Sequence, residues 1–179
     1  MMNDDLEVIE RVRSGRAEDF RVLVERYERP VFRFLAGLLA DEHQRQDAAQ
    51  EVFLTVFRRL DSFDPGKGQF STWLFTVARN VGLNAIRKKA PMPVAHVPDR
   101  EDVDSPVDRA AGRELFEQLD LQLEQLPAQE KTVFVLAELT GLSHEEIARV
   151  EHIEPGTVRS RLCRAKQKLR KLLRRFNEV

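Results

Sequence analysis

The stretch Ser143-His144-Glu145-Glu146-Ile147-Ala148-Arg149-Val150-Glu151-His152-Ile153-Glu154-Pro155-Gly156-Thr157-Val158-Arg159-Ser160-Arg161-Leu162 decides how the C-terminal part of the chain folds. Ser143 followed three residues later by Glu146 is the pattern of a capping box, in which each side chain satisfies the other's free backbone N–H at a helix start. The helix it opens is short, about 143 to 150. Residues 151–154 make a tight turn. Pro155 has no N–H to satisfy and suits the first turn of the next helix. A short helix, a tight turn and a long basic helix form a helix-turn-helix. Ile147 and Ala148 point inward, and Val158 and Leu162, four apart, anchor the second helix. Arg159, Ser160, Arg161 and Arg164 are left on or near its outer face. Arginine pairs bidentately with the major-groove edge of guanine. The helix N-terminus at Gly156 and Thr157 offers free amides to a phosphate. Lys168 and its basic neighbours neutralise backbone charge, which makes binding salt-dependent.

Upstream of this motif, Leu115, Phe116, Leu119, Leu123 and Leu126 form one helical stripe. Pro127 opens a second helix carrying Val133, Phe134, Leu136, Ala137 and Leu139, which Gly141 ends. Between about Lys89 and Ala111 no apolar stripe survives. Four prolines and five acids in that span predict a flexible linker.

The N-terminal part is helical as well. Phe20, Leu23, Val24 and Tyr27, then Val31, Phe34, Leu35 and Leu38, follow three-and-four spacing, with Pro30 marking a start or a kink. Ala49, Val52, Phe53, Val56, Phe57 and Leu60 make the next stripe. Asp61 to Gly68 reads as a loop. Ser71 or Thr72 is the expected cap of a third helix, with Trp73, Leu74, Val77, Ala78, Val81 and Ile86 on its apolar side. That helix also carries Arg79, Asn80, Asn84, Arg87 and Lys88. Aromatics stack on unpaired bases while cations hold the strand's phosphates, at about 1–3 kcal/mol per stacked base. The plain alternative for Trp73 and Phe75 is core packing.

No credible strand appears, so the expected fold is all-α: two small helical domains, 1–89 and 113–179, joined by a linker at 90–112. The net charge of −1 gives no global sign of a nucleic-acid partner, but nine bases and no acid lie between Arg159 and Arg175. No run of about 18 apolar residues suggests a membrane span. The acidic N-terminus is unlike a secretory signal. One cysteine, Cys163, permits no internal disulfide and suits a reducing cytoplasm. It is expected to be a small, partly buried hydrophobe. The four histidines have no metal-ligand spacing, and no phosphate-binding loop, dinucleotide fingerprint or nucleophile elbow is present. No enzyme activity, cofactor or metal is expected.

Two segments resemble known sequence. Glu146-Ile147-Ala148, Pro155-Gly156-Thr157-Val158-Arg159-Ser160-Arg161-Leu162 and Arg164-Ala165 resemble the fourth conserved region of extracytoplasmic-function (ECF) sigma factors, the promoter-recognition subunits of bacterial RNA polymerase. Asp47-Ala48-Ala49-Gln50-Glu51-Val52-Phe53-Leu54 and Phe70-Ser71-Thr72-Trp73-Leu74, with Ala78-Arg79-Asn80, resemble the second region. The resemblance implies that Asp47, Gln50, Glu51 and Leu54 dock on a coiled coil of the polymerase's largest subunit. It implies that the 70–89 helix and the loop before it, with Phe63, Lys67, Phe70, Ser71, Thr72, Trp73, Arg79, Asn80, Asn84, Arg87 and Lys88, open and capture the minus-ten element. The last helix, through Gly156, Thr157, Arg159, Ser160, Arg161, Arg164 and Lys168, would read the minus-thirty-five element of promoter DNA. An anti-sigma factor is the expected inhibitor. The family usually has Gly in the helix-turn-helix turn. Here Glu151-His152 stands there, and His tolerates positive φ better than most residues. The alternative, a stand-alone helix-turn-helix regulator, leaves the 70–89 helix unused and needs a dimer interface.

Overall fold

The computed structural model describes residues 2–88 and 119–176. Those residues contain helices and turns and no strand. The N-terminal unit has four α-helices: α1 (Met2–Arg13), α2 (Phe20–Leu35), α3 (Glu42–Arg58) and α4 (Phe70–Lys88). Helical residues 119–124 (α5), α6 (Ala128–Phe134), α7 (His144–Glu151) and α8 (Pro155–Phe176) make the C-terminal unit. The linker expected at 90–112 lies outside the described residues, as do Leu115 and Phe116.

The three-and-four spacing of α2 buries Phe20, Leu23, Tyr27, Val31, Phe34 and Leu35 on one face. Pro30 sits inside this helix rather than at its start. Leu38 falls in the turn that follows, because the helix stops at Leu35. In α3, Val52 and Val56 are fully buried. Phe57 departs from the predicted stripe. It meets Phe20 edge-on at 5.0 Å but stays 42% exposed. Asp41 caps α3 by accepting from the Gln44 amide.

Helix α4 starts at Phe70, so Ser71 and Thr72 lie inside its first turn and neither is the cap. The loop before it is two short 3₁₀ turns, Leu60–Ser62 and Pro65–Lys67. Arg13 pins that loop to α1, donating to the carbonyls of Leu60 at 2.8 Å and Phe63 at 2.5 Å. Phe34 and Phe75 pack edge to face at 5.5 Å in the centre of the unit.

In the C-terminal unit, α6 continues as a single wider π-type turn from Val135 to Leu139. Gly141, at φ 70°, then reverses the chain, as its position predicts. Both halves of the predicted capping box form at Ser143 and Glu146. His152 takes the left-handed conformation at φ 54°, so the tight turn is made without glycine. Ile147 and Val158 are completely buried and Leu162 nearly so, which braces the two helices of the motif as expected.

The two units are not apart. One apolar core runs from Val8 and Phe34 through Leu136 and Ile147 to Leu162. Helix α7 packs on α4, and α2 packs on α6 and the π turn. Ion pairs border the seam. Arg33, almost buried, pairs bidentately with Asp120. Lys131 bonds both Glu124 at 3.0 Å and the Ala36 carbonyl at 3.3 Å, and Arg45 reaches Glu124 at 3.1 Å. Gly37 lets the backbones approach: a Cβ built there would lie 2.6 Å from the Thr132 methyl.

Candidate nucleic-acid interface

Helix α4 divides its residues sharply by face. Phe70, Leu74, Phe75, Val77 and Ala78 are buried, while Asn80, Asn84, Arg87 and Lys88 are exposed along one edge. Three residues expected to touch DNA are instead core. Phe63 and Phe70 are 4% and 3% exposed and stack edge-on at 5.6 Å, and Ser71 is buried beside them. Trp73, half-buried, leans on both rings. Tyr27 completes the cluster against Phe70, and its hydroxyl donates to Asp5. Burial, the hydrogen bond and the charge of Asp5 push the Tyr27 phenol up, outweighing the nearby Arg26. The aromatics at the start of α4 therefore set the position of the helix, and its polar edge is what solvent meets. Lys67 stays exposed at the loop tip, 3.5 Å from Asp64.

Across from that edge, α3 exposes Asp47, Gln50, Glu51 and Leu54. The two helices flank a groove of about 960 Å³. Asp47 and Glu51 line one wall, and Asn80, Asn84, Arg87 and Lys88 line the other. Two residue sets that the sequence separates thus border one cleft. Arg59 and Thr55 also line it. The sequence alone did not single them out, because a cation at the end of an amphipathic helix has many ordinary uses. Leu54 and Phe57, both 42% exposed, leave an apolar step on the outer face of α3. The three-residue spacing of Phe57 from Leu54 was its available signal.

In the helix-turn-helix, Arg159 and Ser160 are exposed on the second turn's outer side. The Ser160 hydroxyl donates to the Thr157 carbonyl at 3.0 Å. Gly156 is exposed and Thr157 half-buried at the helix start. Arg164 and Lys168 turn toward α6, both within ion-pair range of Glu130, at 3.5 and 2.8 Å. Arg161 is half-buried, on the side of Glu151. Cys163 is exposed, contrary to expectation, because Leu162 and Ala165 take the inward positions on either side of it. Burial pushes the Glu151 carboxyl up, against the opposing pull of Arg79 and Arg161. Burial also acts to raise Glu146, but bonds from the Ser143 amide and hydroxyl and the Thr72 hydroxyl, with Arg149 nearby, bring it below the usual carboxylate range.

Comparison with known proteins agrees with this layout. The Sigma-70 region 2 family matches residues 23–91, and Sigma-70, region 4 matches residues 116–169. The first match covers the α2–α4 unit and the groove, and the second covers the helix-turn-helix. The ECF RNA polymerase sigma factor SigW of Bacillus subtilis is 32% identical over 93% of this chain and 95% of its own length. The chain belongs to the ECF RNA polymerase sigma factors. The Pseudomonas aeruginosa sigma-H factor is 34% identical over 94% of this chain and 93% of its own. The ECF sigma-E factor of Escherichia coli is 32% identical over 96% and 97%. Among solved structures, CnrH in complex with the cytosolic domain of CnrY superposes with a TM-score of 0.58 at 26% identity, over 93% of this chain and 94% of CnrH. The sigma factor RpoE of Bartonella quintana, solved with the anti-sigma factor NepR, shares the fold at a TM-score of 0.61 over 88% and 98%, at 22% identity. As an ECF sigma factor, the chain directs RNA polymerase to promoters. Among the described residues no helix is long and apolar enough to cross a membrane, and no cluster of His, Cys, Asp or Glu could hold a metal ion.

Proposed function

We propose that the division of labour follows the exposed edges. The outer face of α3, with Asp47, Gln50, Glu51, Leu54 and the neighbouring Phe57, docks on core polymerase. Its apolar step supplies area, and its acids supply orientation. The polar edge of α4 takes the separated strand of the minus-ten element. Asn80 and Asn84 bond base edges, and Arg87 and Lys88 hold phosphates. Arg159 and Ser160 read the upstream element in the major groove, while Gly156 and Thr157 hold a phosphate. Arg164 and Lys168 act as a reserve of charge, since each must leave Glu130 to reach DNA. Phe63, Phe70 and Ser71 act by fixing the loop and the start of α4.

The observation that carries this reading is the clean split of α4, an aromatic face sunk in the core and an Asn-and-cation edge in solvent. A polar outer side is common to surface helices; what sets this one apart is that Asn80, Asn84, Arg87 and Lys88 together wall a groove. The chain itself has no catalytic step in this scheme. It works in the cytoplasm, where polymerase and chromosome meet. An anti-sigma partner would silence it by covering the α3–α4 cleft and the α8 face. The family resemblance supports this, as does the complex of CnrH with a cytosolic domain. Transcription in vitro, with purified core polymerase and a promoter library, tests the reading. Defined start sites that appear only when the chain is added support it. Core polymerase that gains no start-site choice from the chain overturns it.

A further inference from the structure

The loop that leads into α4 is gripped by a helix that lines no part of the groove. The match to Sigma-70 region 2 begins at residue 23, so α1 lies before it. Arg13 is the last residue of α1. Its Nη2 donates to the Leu60 carbonyl at 2.8 Å and the Phe63 carbonyl at 2.5 Å, and lies 3.4 Å from the Asp61 carbonyl. Its Nη1 reaches back to Glu10 at 3.2 Å. One guanidinium thus gathers three carbonyls of the 3₁₀ turn at Leu60–Ser62 and the residue after it. The support behind it is firm. Val8 and Ile9 of α1 are buried in the core, and Asp5 accepts from the Tyr27 hydroxyl and pairs with Arg26 of α2. A cation in the last turn of a helix already suits the macrodipole. That role asks for no partners 47 to 50 residues further along the chain.

Beyond Phe63 the chain changes character. The Phe63 ring is buried against Phe70 and Trp73, whereas Asp64, Pro65, Gly66 and Lys67 are exposed. The tip is tied to itself. Asp64 accepts from the Gly66 amide at 2.9 Å through its carboxylate and from the Lys67 amide at 3.0 Å through its carbonyl. Its place relative to α4 is therefore set by its two anchored ends, at Phe63 and Phe70. We propose that Arg13 is a positioning residue for minus-ten capture: by holding the Leu60–Phe63 carbonyls it sets where the loop tip, with Lys67, stands relative to the Asn80 edge of α4. The inference rests on the assignment of that edge to the strand made above. Guanidinium chemistry suits the task. Its planar fork serves two directions at once, the loop and Glu10, where an ammonium is a point donor. Bases are told apart only by groups held in fixed positions. A loose tip still offers the charge of Lys67 to a strand but discriminates less between sequences.

The test uses the full chain assembled with core polymerase. Arg13→Ala removes the grip. Arg13→Lys keeps the charge at the end of α1 without the fork. Arg11→Ala is the control, because the ion pairs of Arg11 run to Glu7 and Asp19. Melting by circular dichroism and amide exchange of residues 60–69 are recorded for each. The readout is initiation from a promoter library randomised in the minus-ten element beneath one fixed upstream element. Arg13→Ala narrows the spread of initiation rates between favoured and disfavoured minus-ten sequences about tenfold, the order of one mismatched position. It speeds exchange of the Ser62 and Phe63 amides and leaves binding to core polymerase and to upstream-element duplex unchanged. Arg13→Lys falls between Arg13→Ala and the parent, and Arg11→Ala keeps the parent's spread. A role in folding alone would lower the melting temperature and the overall level of initiation and leave the spread intact. An undiminished spread in both Arg13 variants overturns the proposal, and so does an equal narrowing in Arg11→Ala. Failure of the underlying assignment looks different: Asn80→Ala then keeps the parent's spread, and Arg13→Ala alone decides the role of the loop.

Discussion

Helices α4 and α8 both carry cations along an exposed side, yet they are built on opposite plans. Helix α4 is held by aromatic rings on its buried face, with Phe75 against Phe34 and Phe70 among Tyr27, Phe63 and Trp73. Its polar edge is short and mixes amides with bases. Helix α8 is held by aliphatic residues, Val158, Leu162, Ala165 and Leu169, and exposes Arg159, Arg164, Lys168, Arg170 and Lys171 along its length. The first plan suits a rigid edge that must keep unpaired bases in register. The second suits a rod that lies in a groove of regular shape, where charge matters along its whole length. The lesson is that a count of basic residues does not separate the two modes. What separates them is what lies beneath the cations.

Truncation of the cores should show the difference most strongly. Phe75→Ala removes a fully buried ring from the centre of the N-terminal unit and should cost about 3–5 kcal/mol, read by chemical denaturation. Val158→Ala, in the aliphatic seat of α8, should cost about 2 kcal/mol. Equal losses at the two sites would erase the contrast in how the helices are held. The DNA contacts come next. Arg159→Ala should weaken binding to upstream-element duplex by about 1–3 kcal/mol with no change in melting temperature. Asn80→Ala should leave polymerase binding intact and reduce permanganate-reactive thymines in the minus-ten region. A normal bubble in that variant would remove α4's edge from strand capture.

Smaller effects test the corner where the two plans meet. Ser143→Ala breaks the capping box of α7 and should cost about 1 kcal/mol. His152→Gly should gain up to about 1 kcal/mol by removing the left-handed strain of a residue with a Cβ, measured as a rise in denaturation midpoint. The two carboxylates of α7 should act with opposite sign. Glu146 is held below its ordinary range, so its stabilisation is present above that range and is lost as pH falls through its folded value. Glu151 is held above its ordinary range, so the protonated form favours folding and stability falls as pH rises through that raised value. Glu151→Gln should flatten the second slope and leave the first, in denaturation curves collected across the carboxylate range.

The helix-turn-helix was legible almost residue by residue. The Ser143–Glu146 box, the turn at His152, the start at Pro155 and the inward Val158 and Leu162 all sit where local rules place them. Each of those signals acts within four residues along the chain, so no distant partner is needed to interpret it. The start of α4 was less legible. Phe63, Phe70 and Ser71 read as candidate contacts because an aromatic next to bases fits either stacking or packing, and only the neighbouring Tyr27 and Trp73 decide between them. Phe57 and Cys163 erred in opposite directions. One was expected inside and stands half out, while the other was expected partly buried and is exposed. A helical stripe fixes an angle around the axis and says nothing about how wide the opposing surface is.

By itself, then, the sequence determined an all-helical chain with a DNA-reading motif near one end and a second polar-and-aromatic helix near the other, because capping, proline and helical periodicity are local effects. The tertiary structure alone decided that α3 and α4 share one groove, that Arg164 and Lys168 answer to Glu130, and that α7 lies on α4 with Gly37 against Thr132. Those facts depend on which surfaces meet between residues on different helices, far apart along the chain. Meeting is governed by the summed burial and shape of whole faces, which no short window of sequence records.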